Sequence, residues 1–316
     1  MAAWRSNAAA RRHPEPNDRT PKLPPGGFAQ AMTATRIATA AVLIPLVTVS
    51  VLWGPLELIA LLAAAIACLA LIEFFALVER AGLRAYRSWT LLCSAGIFAA
   101  QWAAARERTW TLGSDVRLTS GTIVPIEVIL LVFTVGMAVM VFSSPRPLAS
   151  ALGDIGASAT ALVFIALPLS VVVRLHGVER SGPRLLLFTL MLVWAGDTMA
   201  YFVGKYLGHL RMAPKLSAAK TWEGAAANLV ASLGVGAAFT GWLGLPPMHV
   251  LVMAGLANVA GQVGDLLESA YKRSAGVKDS GSLLPGHGGM LDRIDALILA
   301  APVVWYYFDL VLAPRA

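Results

Sequence analysis

Apolar residues run along this chain in long blocks, without the strict alternation of half-buried strands. Nine blocks are long enough, at roughly 20 residues each, to cross a bilayer as helices. They cover residues 37–53, 56–78, 88–105, 123–142, 157–174, 185–204, 225–245, 249–270 and 290–312. Backbone facing lipid must satisfy its own hydrogen bonds, which favours helices. The pattern therefore predicts an all-α, polytopic integral membrane protein of about nine transmembrane helices. Pro45 falls inside the first block, and a membrane helix tolerates it.

Polarity is distributed unevenly over the blocks. The first five are mostly plain hydrocarbon, with isolated acids at Glu57, Glu73 and Glu127. From Asp197 onward, polar residues enter the apolar blocks themselves. The expected organisation is a disordered basic cytosolic tail (1–35), N-terminal transmembrane helices (36–180) and a C-terminal catalytic transmembrane region (181–316). The tail carries Arg5, Arg11, Arg12, Arg19, Lys22 and five prolines, with no apolar run that would make a cleavable signal.

Composition supports the membrane reading. The chain is 57% hydrophobic and 14% charged, against about 25% charged for ordinary soluble domains. Cys68 and Cys93 lie in apolar blocks, form no zinc spacing, and read as packing residues. The net charge of +7 comes without an aromatic-rich basic module, so no nucleic-acid partner is expected. Basic loops facing an anionic leaflet explain it better. With the N-terminus inside, 17 Lys and Arg fall on the inner side against seven outside. That bias predicts a multi-pass protein of the inner (cytoplasmic) membrane, N-terminus cytosolic, with its long polar loops at the cytosolic face.

Chemistry concentrates in four stretches. Asp197, Tyr201 and Gly204 recur at helical spacing and share one face. Asp197 reads as functional or as a structural hydrogen-bond partner. Pro214 to Gly224 reads as a loop leading into the seventh block. Its Ser217, Lys220 and Thr221 suit phosphate oxygens, with Glu223 near the helix start, although a solvated basic loop is the plain alternative. Asp265, Glu268, Ser269 and Lys272 fall at i, i+3, i+4 and i+7, and Asn258 and Gln262 extend that stripe inward. An ion pair at such spacing is worth only a few tenths of a kcal/mol in water, too little to justify several charges at membrane depth.

The fourth stretch runs from Lys278 and Asp279 through Gly286, His287, Gly288 and Gly289 to Asp292, Arg293 and Asp295. Asp292 and Asp295 share a helical face, where a cation or Arg293 should compensate them. Mg²⁺, an oxygen-ligand ion that bridges phosphates, is the natural choice. His287 suits phosphate positioning better than metal ligation.

Ser269 to Arg273, Lys278-Asp279, Pro285 to Gly289 and Asp292 to Asp295 together resemble the C-terminal signature of phosphatidate cytidylyltransferases, also called CDP-diacylglycerol synthases. The upstream Asp197 face and the Ser217 to Gly224 stretch are similar to that family's motifs as well. One departure is Ala218, where the family usually has proline.

The resemblance implies cytidylyl transfer from CTP to phosphatidic acid, giving CDP-diacylglycerol and pyrophosphate. It implies a Mg²⁺ centre, with K⁺ carried over as a second ion. Asp265 and Asp292 are the implied principal ligands, helped by Glu268 or Asp295. Lys272, Arg273, Lys278, Asp279 and Arg293 join them in the catalytic set. Substrate binding is expected from Asp197, Tyr201, Ser217, Lys220, Thr221, Glu223, Gly286, His287, Gly288 and Gly289. Expected partners are CTP, phosphatidic acid and membrane lipids, with a homodimer left open. The rival readings are a CTP-dependent transferase or kinase acting on another lipid, a transporter, and an inactive homologue. A transporter predicts paired broken helices in two related halves, and the chain shows no such repeat.

Overall fold

The computed structural model describes residues 41–107, 124–281 and 288–312. Residues 1–35, expected to form the basic tail, lie outside the described residues, as do Gly286 and His287.

Helices dominate. In chain order they are α1 (Ala41–Trp53), α2 (Leu56–Arg80), α3 (Arg87–Glu107), α4 (Ile126–Ser143), α5 (Ala151–Thr160), α6 (Leu167–His176), α7 (Gly182–Tyr206), α8 (Trp222–Leu243), α9 (Pro247–Ser274) and α10 (Leu291–Tyr307). A π-helical turn, Ala161–Ala166, joins α5 to α6, so Leu148–His176 is one continuous helical span. Another, Phe308–Leu312, extends α10.

The described part of each of the nine apolar blocks is helical almost throughout, but the count of crossing helices differs. Among the described residues, seven helical spans are long and apolar enough to cross a membrane. The described part of α1 is too short, and α3 is not among the seven. It carries Arg87, Gln101, Arg106 and Glu107, and these break its apolar character. Gln101 is buried and donates to Ser170 Oγ on α6 at 3.3 Å, so packing against a neighbour satisfies it.

α6 sits at the centre, packing against α2, α3, α7 and α10. Val173, Leu175, Ile298 and Val304 are fully enclosed there. The helices α7, α8, α9 and α10 pack in a closed ring, each against the next and α10 back on α7. Large apolar side chains such as Leu61, Leu92, Leu131, Phe142, Val230 and Val252 point outward. An apolar exterior of this kind suits a bilayer as solvent.

The segment expected as a loop before the seventh block is instead a short antiparallel hairpin. β1 (Arg211–Ala213) pairs with β2 (Ser217–Thr221), with Arg211 opposite Thr221 and Ala213 opposite Ser217. Arg273 Nε donates to the carbonyl of Leu216 at 2.9 Å, tying the hairpin turn to the end of α9. Contacts of this kind collect the α2 end, the hairpin, the α9 end and the α10 start at one pole of the bundle.

Candidate active site

The pole holds a cavity of ≈ 570 Å³ between α7, α8, α9 and the hairpin. Asp197, Tyr201 and Gly204 all line it, as their helical spacing predicts. Ser217, Lys220 and Thr221 face them from the hairpin, and Asp265 closes the α9 side. Three stretches separated in sequence thus line one cavity.

Local chemistry explains the hairpin's position. Thr221 is the N-cap of α8, with its hydroxyl accepting the Gly224 N–H at 3.1 Å. The Glu223 carboxylate accepts the N–H groups of His209 and Leu210, both at 3.1 Å. Expected as substrate ligands, Thr221 and Glu223 therefore also have structural work: one starts α8, the other fastens the chain leaving α7 to it.

A polar ladder runs from the cavity into the bundle. Asn228 Nδ2 donates to Asp197 Oδ1 at 3.3 Å. Asn258 Nδ2 donates to Asn228 Oδ1 and, at 2.7 Å, to Ser232 Oγ. Gln262 Nε2 donates to Asn258 Oδ1 at 2.7 Å. Hydrogen-bonded amides of this sort are how polar groups survive at membrane depth. Asp197 has a structural partner and also faces the cavity.

Next to the cavity lie three carboxylates. Asp265 and Glu268 on α9 and Asp295 on α10 each offer an oxygen within 4.8 Å of the others. Gly264 makes this possible: a Cβ there would stand 2.5 Å from the Asp295 carbonyl, so only glycine lets α9 and α10 approach so closely. Lys220 Nζ lies 2.7 Å from Asp265 Oδ2. Glu268 is fully buried, and its Oε1 has no hydrogen-bond partner among the described residues. An orphaned buried carboxylate oxygen facing two further carboxylates fits a hard divalent cation that takes oxygen ligands.

Asp292 lies beside Glu268, next to this group. Its Oδ1 lies 2.6 Å from Lys272 Nζ, and Lys272 also lies 2.5 Å from Glu268 Oε2. Its Oδ2 accepts from Ser280 N, Ser280 Oγ and Gly289 N, each at 3.0 Å. Asp292 is thus satisfied by protein donors and linked to the carboxylate group through Lys272. Gly288 adopts φ +81, which favours glycine, and lets the chain turn into this arrangement.

The remaining expected residues lie further out. Arg273 spends its guanidinium on the carbonyls of Leu216 and Val277. Lys278, Asp279 and Arg293 are exposed at the same pole. Arg211, which the sequence reading did not single out, lines the cavity and donates to the Ala218 carbonyl.

Comparison with known proteins matches the model of the cytidylyltransferase family to residues 34–311. The chain belongs to the cytidylyltransferase family. Among the relatives of this family member is a phosphatidate cytidylyltransferase of Bacillus subtilis (strain 168). It is 35% identical over 159 residues, 50% of this chain and 59% of the relative. Phosphatidate cytidylyltransferase of Brucella abortus biovar 1 (strain 9-941) is 43% identical over 151 residues, 46% of this chain and 53% of that protein. The Haemophilus influenzae enzyme of the same name is 43% identical over 137 residues, 42% of this chain and 48% of its own. The chain spans about half the length of the curated relatives it matches.

Proposed function

We propose that this protein transfers the cytidylyl group of CTP to phosphatidic acid, giving CDP-diacylglycerol and pyrophosphate for phospholipid synthesis. The observation that carries the reading is the carboxylate group Asp265, Glu268 and Asp295, whose Asp265 lines the cavity beside Lys220. Relatives named phosphatidate cytidylyltransferase support it.

A phosphatidate oxygen attacks the α-phosphorus of CTP in line, and the bond from that phosphorus to the β-phosphate bridging oxygen breaks. Phosphate monoesters have a second pKa of about 6, so the nucleophile is already ionised near neutrality. No general base is required. The work is to align two polyanions and offset their repulsion, as in phosphoryl transfer generally.

Asp265, Glu268 and Asp295 would hold Mg²⁺, and Asp292, expected with Asp265 as a principal ligand, would join them beside Glu268 and Lys272. The bound ion supplies charge neutralisation at the phosphate oxygens. Lys220 and Arg211 offer cations to the triphosphate from the hairpin. Ser217 adds a hydroxyl, and Tyr201 lines the opposite wall. Lys272 keeps Glu268 and Asp292 compensated, while Lys278 and Arg293 give the pole a positive rim. Asp279, Gly286 and His287 are assigned to phosphate handling on the family resemblance alone. A K⁺ ion would add to the same centre.

The catalytic region is residues 181–316, with 36–180 as its scaffold. We place the pole at the cytosolic face of the inner membrane, where a soluble nucleotide meets a lipid phosphate. Membrane lipids surround the apolar exterior, and a homodimer is compatible with it.

The test is an incorporation assay with membranes carrying the protein, phosphatidic acid and Mg²⁺. Label from the α-phosphate of CTP should enter lipid. Label entering from the γ-phosphate would indicate a kinase, and none from either would contradict enzymatic transfer.

A further inference from the structure

Glu73 lies on α2, far from the catalytic region in sequence, and is buried. Its Oε1 accepts the Met290 N–H at 2.8 Å, and its Oε2 accepts the Leu291 N–H at 2.9 Å. Ser280 Oγ lies 2.9 Å from the same Oε2. That hydroxyl also lies 3.0 Å from Asp292 Oδ2. A hydroxyl has one proton, so it donates to one carboxylate at a time and couples the two.

The backbone around Glu73 is shaped to admit it. A Cβ at Gly289 would stand 2.0 Å from Ser280 Oγ and 2.4 Å from Glu73 Oε2. A Cβ at Gly281 would stand 2.7 Å from Glu73 Oε1. The chain on both sides of the 282–287 segment therefore closes onto one carboxylate. The two N–H groups it accepts belong to the start of α10, where free backbone donors and the helix dipole both favour an anion. Charge-assisted hydrogen bonds of this type are stronger than neutral ones.

From this geometry we infer that Glu73 is a positioning residue for the reaction, fixing the start of α10. It rests on the reading above for its functional meaning. Glu73 touches neither the three-carboxylate group nor the cavity wall. It acts by holding the first turn of α10, which carries Asp292 toward Lys272 and Asp295 toward Asp265 and Glu268. An element of the N-terminal helices thereby sets the geometry of the C-terminal ones.

The test uses the full chain in detergent micelles, comparing wild type with Glu73→Gln, Glu73→Asp and Gly281→Ala. Glutamine keeps the volume, loses the charge and turns one acceptor into a donor facing N–H groups. Hydrogen–deuterium exchange of residues 288–292 should quicken by about tenfold or more in Glu73→Gln. Exchange in α6 should not change. Gly281→Ala pushes the carboxylate aside without altering it and should give the same local effect, so the test survives if Glu73→Gln does not fold. Glu73→Asp should recover part of the protection.

Mn²⁺ binding followed by electron paramagnetic resonance should weaken by about 10-fold in Glu73→Gln, the scale of an outer-shell loss. Unchanged exchange at 288–292 in both Glu73→Gln and Gly281→Ala would overturn the inference. Wild type that binds no Mn²⁺ would contradict the metal reading instead, and the exchange comparison would still decide the role of Glu73.

Discussion

Lys220 on the hairpin and Asp265 on α9 form an ion pair, Nζ to Oδ2 2.7 Å, at the wall of the cavity. The pair joins two motifs 45 positions apart in sequence. It also gives each residue two uses. Asp265 belongs to the carboxylate group, and Lys220 is one of the cations that line the cavity. Binding of the nucleotide and a metal would let both exchange one partner for a better one.

Lys220→Ala should therefore act mainly on CTP. The expected result is a rise in the CTP KM of about tenfold or more, the loss of a charged hydrogen bond. Steady-state kinetics at saturating phosphatidic acid measures it. An unchanged KM would remove Lys220 from the nucleotide site.

Lys272 pairs with two enclosed carboxylates, Glu268 and Asp292. Lys272→Met leaves Glu268 without its cation and Asp292 with neutral donors alone. Removing one member of such a buried group costs about 3–5 kcal/mol. A lowered thermal midpoint in detergent, relative to wild type, is the expected readout. A variant as stable as wild type would mean that Lys272 does not hold the pair in place.

Gly264→Ala puts a methyl group where only 2.5 Å separates it from the Asp295 carbonyl. The helices α9 and α10 must separate, and with them Asp265 and Asp295. The Mg²⁺ concentration for half-maximal activity should rise by about 10-fold, on the scale of disturbed metal-site support. Titrating Mg²⁺ against turnover tests this, and a wild-type curve would count against the shared site.

Thr221→Val removes the hydroxyl cap of α8. The expected cost is about 1 kcal/mol of stability, with Thr221→Ser close to wild type. Denaturation midpoints of the two variants distinguish this from a purely ligand-binding role, in which both stability values would match wild type.

Much of this arrangement is legible in the sequence, for identifiable reasons. The apolar blocks mark the helices because a bilayer demands length and hydrophobicity together. Helical spacing places Asp197, Tyr201 and Gly204 on one face, and they do share the cavity. Spacing alone does not separate Asp292 from Asp295. Three residues apart, both face α9, and only the packing sends Asp295 to the carboxylate group and Asp292 to Lys272.

Other features have weak local signals. The hairpin at Arg211 to Thr221 is short, and its strands contain alanine and lysine, poor strand formers. It persists because Arg273 and Glu223 anchor it from neighbouring helices. Glu73 looks like an isolated acid in an apolar block. Its partners Ser280 and Leu291 lie 207 and 218 positions away, and no local pattern reaches that far. One hint was available: a lone acid in a membrane helix needs a partner.

The central claim is that Asp265, Glu268 and Asp295 form the working centre for cytidylyl transfer. The most direct measurement follows α-phosphate label from CTP into phosphatidic acid by Asp265→Asn, Glu268→Gln and Asp295→Asn, each purified and folded, with Mg²⁺ present. Each should lose about 10²–10³ in rate or more, the scale for removing a preorganised electrostatic group. Wild-type rates in all three variants would contradict the account.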